Sequence, residues 1–172
     1  MTRRCTLMLA AVALCALAGT ARAQRASLAA GAALPVGDLS NSAGNGVDVV
    51  LQARTEPIIG PLPLRIDISY DFLSGKGALS STAISGQSVS LMGDVGSMFY
   101  WAVGPGYYQS TVKTQISGHN VTEQRTYLGA QAALGVNIPV FRWEGFLELS
   151  AAKLFAPGPT IMYVPLRFGM RL

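Results

Sequence analysis

The chain has 172 residues, a length that favours a single domain. Half of the residues are hydrophobic, 13% are charged and 19 are glycine, a balance that is unusual for a soluble domain and compatible with a membrane protein. The formal net charge of +4 is not accompanied by a run of basic residues, so a nucleic-acid-binding surface is not expected.

Residues 1–23 have the pattern of a cleavable secretory signal peptide. Two arginines precede an apolar stretch at residues 7–18, and Ala21 to Ala23 match the small-residue cleavage motif. Cleavage would leave one mature domain, residues 24–172. Three of the 13 Lys+Arg lie in the signal and all nine Asp+Glu lie beyond it, so the mature chain has ten basic and nine acidic residues and a net charge of +1.

The signal also contains both cysteines, Cys5 and Cys15. The mature chain therefore has no thiol, which excludes a disulfide framework, a cysteine nucleophile and a cysteine metal site. After residue 24 no apolar run approaches the roughly 18 residues of a transmembrane helix. If the protein enters a membrane it must do so as a closed β-barrel, because only a closed sheet pairs all of its backbone groups in lipid.

The last segment, residues 161–172, predicts a strand with two different faces. Alternate residues are apolar, whereas the residues between them are polar or small and include Arg167 and Arg171. The apolar residues are Met162, Val164, Leu166, Phe168, Met170 and Leu172. A lipid-facing outside and a wet inside fit this pattern, since a transmembrane barrel strand needs about 9–11 residues of it. The strand by itself is also compatible with a half-exposed strand of a soluble sandwich.

Seven further segments show the same alternation. The clearest is residues 64–72, where every second residue from Leu64 to Phe72 is apolar and the residues between them are Arg65, Asp67, Ser69 and Asp71. The eight predicted strands are residues 26–34, 47–54, 64–72, 87–95, 99–111, 125–136, 143–155 and 161–172. The polar segments 36–46, 73–86 and 112–124 are interpreted as long loops at one end of the barrel, and the connections near residues 96–98 and 137–142 as short turns at the other.

Aromatic residues are expected to gather at the strand ends, where rings prefer the boundary between hydrocarbon and water. The aromatics assigned to the short-turn end are Phe99, Trp101, Phe141 and Trp143. Those assigned to the long-loop end are Tyr70, Phe72, Tyr127, Phe155 and Tyr163. Together these patterns predict an all-β fold, a closed eight-stranded antiparallel up-and-down transmembrane β-barrel preceded by a cleavable signal peptide.

One alternative keeps the strands and reverses their faces. A secreted soluble β-barrel that binds an apolar ligand would need Leu64, Ile66 and Ile68 to point inward. The residues between them, Arg65 and Asp67, would then point into water.

The chain resembles the small outer-membrane β-barrel family that includes the OmpX-like proteins and the OmpA membrane domain. The resemblance covers residues 26–172 and is carried by residues 31–38, by the aromatic-glycine run at 100–108 and by the closing strand. Members usually end in a phenylalanine that the barrel-insertion machinery reads, whereas this chain ends in Leu172. The resemblance implies a monomeric protein of the cell outer membrane, with membrane lipid and that machinery as partners and with segments 36–46, 73–86 and 112–124 available to surface partners.

An eight-stranded barrel is narrow, and its interior is filled by side chains. The predicted interior polar residues are Asp48, Gln52, Arg54, Arg65, Asp67, Asp71, Asp94, Glu144, Glu148, Arg167 and Arg171. A register that places Glu148 opposite Arg167 also places Glu144 opposite Arg171. Buried charges need partners, so these pairs are expected to lock the interior and fix the register. The expected role of these charges is structural, since inward charges in barrels usually satisfy each other. A polar plug or a proton-sized leak is the functional alternative, and a solute pore is not expected.

His119, the single histidine, lies in the polar segment near Ser117 and Glu123. Some barrels of this size modify lipid A with a histidine, a serine and an acid near the rim, so a rim-located lipid A-modifying enzyme around His119 is the catalytic alternative. A glycine-flanked segment gives these groups no rigid geometry, and a lone histidine is not a metal site. The expected role is therefore structural or surface-interacting, with no catalytic, cofactor-binding or metal-ligating residues.

Overall fold

The computed structural model describes residues 25–77, 79–116, 119–140, 143–158 and 160–171. The predicted signal peptide, both cysteines and Leu172 lie outside the described residues, so the cleavage site stays a prediction. Within the described ranges, no helix has the length and apolar character needed to span a bilayer.

The described chain forms eight strands and one short helix. Their bounds are β1 Arg25–Val36, α1 Leu39–Ser42, β2 Ala43–Ile59, β3 Leu62–Gly75, β4 Leu79–Val95, β5 Phe99–Ile116, β6 His119–Val140, β7 Trp143–Leu154 and β8 Ile161–Arg171. Each strand pairs antiparallel with the next, and β1 pairs with β8 to close the barrel. The predicted all-β, up-and-down barrel is confirmed.

The strands present apolar side chains on the outer wall, whereas the buried charged side chains point inward, together with small residues and two buried apolar clusters. On the outside, Leu128 is 68% exposed and Leu134 is 66% exposed. On the inside, the carboxylates of Asp48, Asp71 and Glu148 belong to residues with no exposed surface. A soluble protein buries its apolar side chains, so this arrangement is the reverse of a soluble core and matches a lipid-facing wall.

The alternative of a soluble barrel with an apolar ligand is wrong on this geometry. Arg65 and Asp67 are buried in the barrel interior, and Ile66 and Ile68, which alternate with them, face outward. Strand side chains alternate, so one face cannot be reversed without reversing the other.

Two predicted loops are largely strand. β3 and β4 remain paired up to Ser74 and Ser81, so segment 73–86 contains a connection of only residues 76–78. β5 and β6 remain paired up to Ile116 and His119, so segment 112–124 contains a connection of only residues 117–118. The prediction of long loops there was wrong because serine- and threonine-rich segments can complete a hydrogen-bonded ladder without any apolar alternation.

Segment 36–46 is also more ordered than a loop. It contains α1 and the start of β2, and two contacts hold it against its neighbours. The backbone N–H of Thr160 donates to Asp38 Oδ2 at 2.8 Å, and Lys76 Nζ donates to the carbonyl of Ser40 at 2.8 Å. We call this end of the barrel, formed in the described part by α1 and residues 76–77 and 155–158, the upper rim. The opposite end, formed in the described part by residues 60–61 and 96–98, is the lower rim.

The prediction that aromatic rings lie at the strand ends, facing the membrane boundary, is right for most of the described rings and wrong for two. Phe99, Tyr70, Phe72 and Phe155 lie exposed on the outer wall near the strand ends. Tyr163 is instead buried in the interior, and Tyr127 packs against the same interior cluster. Both tyrosines occupy the alternate positions of their strands whose side chains point into the barrel. This alternation decides where a side chain points, regardless of its distance from the rim. Phe141 and the side chain of Trp143 lie outside the described part.

Replacing Leu149 with arginine tests the outward direction of the apolar face. Leu149 lies at mid-height on β7, opposite Leu134 and Leu166, and is half exposed. An arginine at the bilayer midplane is expected to lower the free energy of unfolding by about 2–4 kcal/mol. Urea titration in phospholipid vesicles measures this change.

The matched control is Thr122→Arg, at an exposed position on the upper part of β6. It should change stability by less than about 0.5 kcal/mol, as surface substitutions usually do. Equal effects of the two substitutions would contradict a lipid-facing Leu149.

Candidate functional site

The predicted interior polar residues divide into a buried central group and a group at the lower rim. The central residues are Asp48, Gln52, Arg65, Asp67, Asp71, Glu148 and Arg167, and each is at most 5% exposed. The residues at the lower rim are Arg54, Asp94, Glu144 and Arg171, whose side chains are between 15% and 57% exposed. All of them face inward as predicted, but only the first group is sealed from solvent.

Glu148 on β7 is the acceptor at the centre of the buried group. Arg65 on β3 donates through Nη1 to its Oε2 at 2.5 Å, and Arg167 on β8 donates through Nη1 to its Oε1 at 3.2 Å. The hydroxyl of Tyr100 donates at 2.9 Å and the amide of Gln52 at 3.3 Å. Charged donors from two strands thus compensate a carboxylate that has no exposed surface, as burial of a charge requires.

Each arginine also holds a second carboxylate. Arg167 binds Asp48 in a bidentate manner, with Nε to Oδ2 at 2.6 Å and Nη2 to Oδ1 at 2.9 Å. Arg65 donates to Asp67 Oδ2 through Nη2 at 2.8 Å and through Nε at 3.1 Å. Bidentate guanidinium–carboxylate geometry fixes orientation as well as distance. The two arginines therefore join carboxylates of β2, β3 and β7 across the barrel.

Neutral side chains extend this network to the remaining strands. Gln131 on β6 donates to Asp67 Oδ2 at 2.6 Å and to Ser90 Oγ on β4 at 3.0 Å. Ser27 on β1 donates to Gln52 on β2 at 3.2 Å. The connected set therefore includes at least one side chain from each of the eight strands.

Tyr100, Gln131 and Ser90 were not among the predicted interior polar residues. Their parity could have identified them, because Tyr100 precedes the outward Trp101, and Gln131 lies between two outward alanines on β6. The predicted interior set contains only charged residues and Gln52, so it lacks the hydroxyl groups and the second amide that complete the network.

Two inward glycines occupy positions that have no room for a side chain. Gly135 lies between Tyr100 and Glu148 in the strand register, and Gly31 lies between Asp48 and Arg167. A Cβ on Gly135 would overlap the Cζ and hydroxyl of Tyr100. The missing side chain of Gly135 lets the Tyr100 hydroxyl cross β6 to reach Glu148, whereas a Cβ on Gly31 would meet the backbone carbonyl of Leu166 on β8.

The predicted register of β7 and β8 is confirmed. Glu148 is the direct partner of Arg167, and the same register brings Arg171 Nη1 to 3.1 Å from Glu144 Oε2. Arg171 also donates to Asn137 Oδ1 at 2.6 Å. One alignment therefore satisfies both ion pairs, although only the Glu148 pair is buried.

The lower rim opens into a cavity of about 710 Å³. Two ion pairs line it, Arg54–Asp94 at 2.6 Å and Arg171–Glu144 at 3.1 Å. Exposed pairs of this kind contribute little to stability, because water already solvates both charges. The cavity is a polar vestibule below the buried network.

Apolar side chains close the interior at the upper rim, a feature that the sequence analysis did not predict. Leu39 of α1 points into the barrel and completes a buried cluster. The other members are Ala33, Ala43, Leu73, Ile84, Tyr108, Ala152, Leu154 and Tyr163. The interior therefore has an ionic middle and an apolar cap, and it is filled by side chains as expected for an eight-stranded barrel.

Between these two layers several buried oxygens have no hydrogen-bond partner among the described residues. They are Oδ1 of Asp67, both carboxylate oxygens of Asp71, Oγ of Ser88 and the hydroxyl of Tyr108. Asp71 is the direct cross-strand partner of Asp48, which already binds Arg167.

The residues proposed for a catalytic rim are not brought together in the described part of the chain. His119 lies exposed at the start of β6, paired across the hairpin with Ile116. Glu123 accepts a hydrogen bond from Arg125 Nε at 2.6 Å, and Ser117 lies outside the described residues. Among the residues described, no group of three or more His, Cys, Asp or Glu side chains is placed to hold a metal ion.

Replacing Glu148 with glutamine tests the central position of this carboxylate. The change removes the negative charge that compensates Arg65 and Arg167, and breaking a buried ion pair typically costs about 3–5 kcal/mol. Glu144→Gln is the matched control at the solvated lower rim, where a loss below about 1 kcal/mol is expected. Urea unfolding of both variants in the same vesicles compares their free energies of unfolding. Equal losses would contradict a buried Glu148 at the centre of the network.

The role of Gly135 can be measured in a double-mutant cycle with Tyr100. Gly135→Ala should lower the free energy of unfolding by about 1–3 kcal/mol, because the added methyl group displaces the Tyr100 ring. In a Tyr100→Ala background the same change should cost less than about 1 kcal/mol, since the ring is gone. Additive effects in the cycle would show that Gly135 has another role.

No family model and no curated protein matches the sequence. Solved structures match it by fold. Neisserial surface protein A superimposes with a TM-score of 0.57 at 16% identity, over 87% of this chain and 96% of that one. The Yersinia pestis outer membrane protein Ail, in a phospholipid bilayer nanodisc, superimposes with a TM-score of 0.57 at 14% identity, over 87% of this chain and 100% of that one. The N-terminal β-barrel domain of Pseudomonas aeruginosa OprF superimposes with a TM-score of 0.53 at 8% identity, over 86% of this chain and 97% of that one. The chain therefore has the fold of the small eight-stranded outer-membrane β-barrels.

Proposed function

We propose that the protein is a non-catalytic barrel of the cell outer membrane that acts as a structural element and presents its upper rim to partners outside the cell. The observation that carries this proposal is the reversed arrangement of the wall, with apolar side chains exposed on the outer face and a charged, sealed interior. Such a wall is stable only when hydrocarbon surrounds it.

The filled interior supports a structural role over solute transport. The ionic network connects all eight strands at mid-height, and the apolar cluster around Leu39 lies above it. A hydrated solute would have to break the bonds of Glu148 to both arginines in order to pass. Membrane lipid and the barrel-insertion machinery are the expected partners of the wall, and a monomer is the expected state.

The upper rim supports a role in surface contacts. The hairpin of β5 and β6 extends beyond the barrel wall, because β6 starts at His119 and pairs with β7 only from Gly129 onward. Residues 121–126 are exposed throughout. Rigid β-structure outside a membrane offers a partner a surface that needs little ordering on binding.

Fractionation combined with electrophoresis tests the membrane location. The full chain expressed in a Gram-negative host should appear in the outer-membrane fraction. It should also migrate differently in detergent gels before and after boiling, because a closed barrel resists unfolding by detergent alone. A freely soluble product with unchanged mobility would refute the proposal.

The substitution His119→Ala distinguishes a rim-located enzyme from a non-catalytic barrel. A lipid A-modifying enzyme that uses His119 would lose its product in mass spectra of lipid A from expressing cells. We expect identical lipid A spectra for the wild-type chain, the variant and cells without the protein. A modification that depends on His119 would establish the enzyme instead.

A further inference from the structure

A small void lies inside the barrel between the buried network and the vestibule at the lower rim. Its volume is about 20 Å³, which is room for about one water-sized particle. The polar side chains that line it are cationic or neutral, and they are those of Arg54, Arg65, Arg171, Ser27, Gln52 and Tyr100. The rest of the lining is apolar, and none of the described residues around the void carries a carboxylate. We call this void the arginine pocket.

The strand register brings the three arginines to one place. Arg54 on β2 is the direct cross-strand partner of Arg65 on β3, and both line the arginine pocket. Arg171 on β8 is the partner of Ser27 on β1, which is in turn the partner of Gln52 on β2. Like charges on directly facing positions repel each other. The pairing of Arg54 with Arg65 therefore favours an anion beside the two guanidinium groups.

The carboxylates that accept from these arginines lie above and below the arginine pocket. Glu148 and Asp67 bind Arg65 in the buried network. In the vestibule, the side chains of Asp94 and Glu144 are 42% and 57% exposed, whereas those of their arginine partners are 23% and 15% exposed. Water and salt screen an exposed charge more strongly than a partly buried one. The arginine pocket therefore retains an excess of positive charge.

Two of the arginines also have donors beyond those used in their ion pairs. A guanidinium group carries five N–H bonds. Arg54 donates to the two oxygens of Asp94, at 2.6 and 3.4 Å. Arg171 donates to Glu144 at 3.1 Å and to Asn137 at 2.6 Å. Charged N–H donors form the strongest hydrogen bonds to an anion, so the pocket offers donors as well as charge.

We propose that the arginine pocket binds one small monovalent anion, with the size and charge of chloride, which enters from the vestibule. Arg54 and Arg171 line both the pocket and the vestibule, so they lie where the two spaces meet. Phosphate, sulfate and carboxylate groups contain several heavy atoms and exceed a space for about one water-sized particle. This site goes beyond the proposed function, because it does not involve the upper rim.

The bound anion offsets the repulsion between Arg54 and Arg65 and connects β2, β3 and β8 at the lower end of the buried network. A ligand that binds the folded chain alone stabilises it by mass action. The free energy of unfolding therefore increases with the logarithm of the anion concentration above the dissociation constant. Chloride is the anion used in the tests that follow.

Urea unfolding of the protein in phospholipid vesicles measures this stabilisation. Chloride replaces gluconate, an anion too large for the arginine pocket, at constant ionic strength. The free energy of unfolding should rise with the logarithm of the chloride concentration once the site begins to fill. Equal stability in the two salts, or a change that is only linear in chloride as a general salt effect is, would overturn the inference.

The substitutions Ser27→Asp and Ser27→Asn form a matched pair that differs in charge and hardly in shape. Either side chain fills the arginine pocket, so both variants should lose the dependence on chloride. In gluconate, Ser27→Asp should be the more stable of the two, because its carboxylate takes the place of the anion. In a pocket without excess positive charge, a buried carboxylate destabilises the fold, so a more stable Ser27→Asn would contradict the inference.

Arg54→Gln removes one of the cations of the arginine pocket. The dissociation constant for chloride should rise at least about tenfold, as expected for the loss of one charged hydrogen bond. Arg125→Gln is the control, since it removes the same charge from an exposed position on the upper part of β6 and should leave the constant unchanged. Equal dissociation constants in the two variants would show that chloride does not bind at Arg54.

Bromide gives a direct test on the unaltered chain, because it has the charge of chloride and is only slightly larger. Crystals grown in bromide should show an anomalous scattering peak in the arginine pocket. A pocket that holds only water would overturn the inference. A peak without any chloride-dependent stability would mark an adventitious ion only and would overturn it as well.

Discussion

The hydrogen-bonded network around Glu148 is the constraint on which the rest of the structure depends. A closed sheet in lipid must put its polar side chains inside, and charges in a narrow interior are tolerated only when donors compensate them. Glu148 meets this condition with Arg65 and Arg167, and neutral side chains extend the connections until every strand is included. Shifting one strand by a single residue would turn its member of the network toward lipid, so the network also specifies the register.

Two features of the backbone make this network possible. Glycine at position 135 leaves space for the Tyr100 side chain to cross β6 and reach Glu148, and glycine at position 31 lets the β8 backbone lie close to β1 beside the Asp48–Arg167 pair. The outer wall needs no such accommodation, because lipid chains adapt to its shape. Interior positions are therefore chosen residue by residue, whereas the outer face requires only apolar character.

The two rims differ in how they end the barrel. The lower rim is a solvated vestibule with exposed ion pairs, and the upper rim is closed by the apolar cluster that Leu39 completes. Above the apolar cap, the β5–β6 hairpin continues as regular structure beyond the last pair of β6 with β7, Gly129 with Leu154. A sealed interior below and a protruding hairpin above support the proposed role in contacts at the membrane surface.

The sequence by itself determined the direction of the side chains, because strand alternation is local and each predicted strand separates apolar from polar residues. It therefore predicted eight strands, a closed barrel and even the joint register of Glu148 with Arg167. It could not place the ends of the strands, since hydrophilic ladders such as residues 112–124 have no apolar alternation and depend on the partner strand for their order. The sites of Tyr100, Gln131 and Leu39 were likewise decided by tertiary structure, because curvature around the barrel sets which inward side chains meet across the interior.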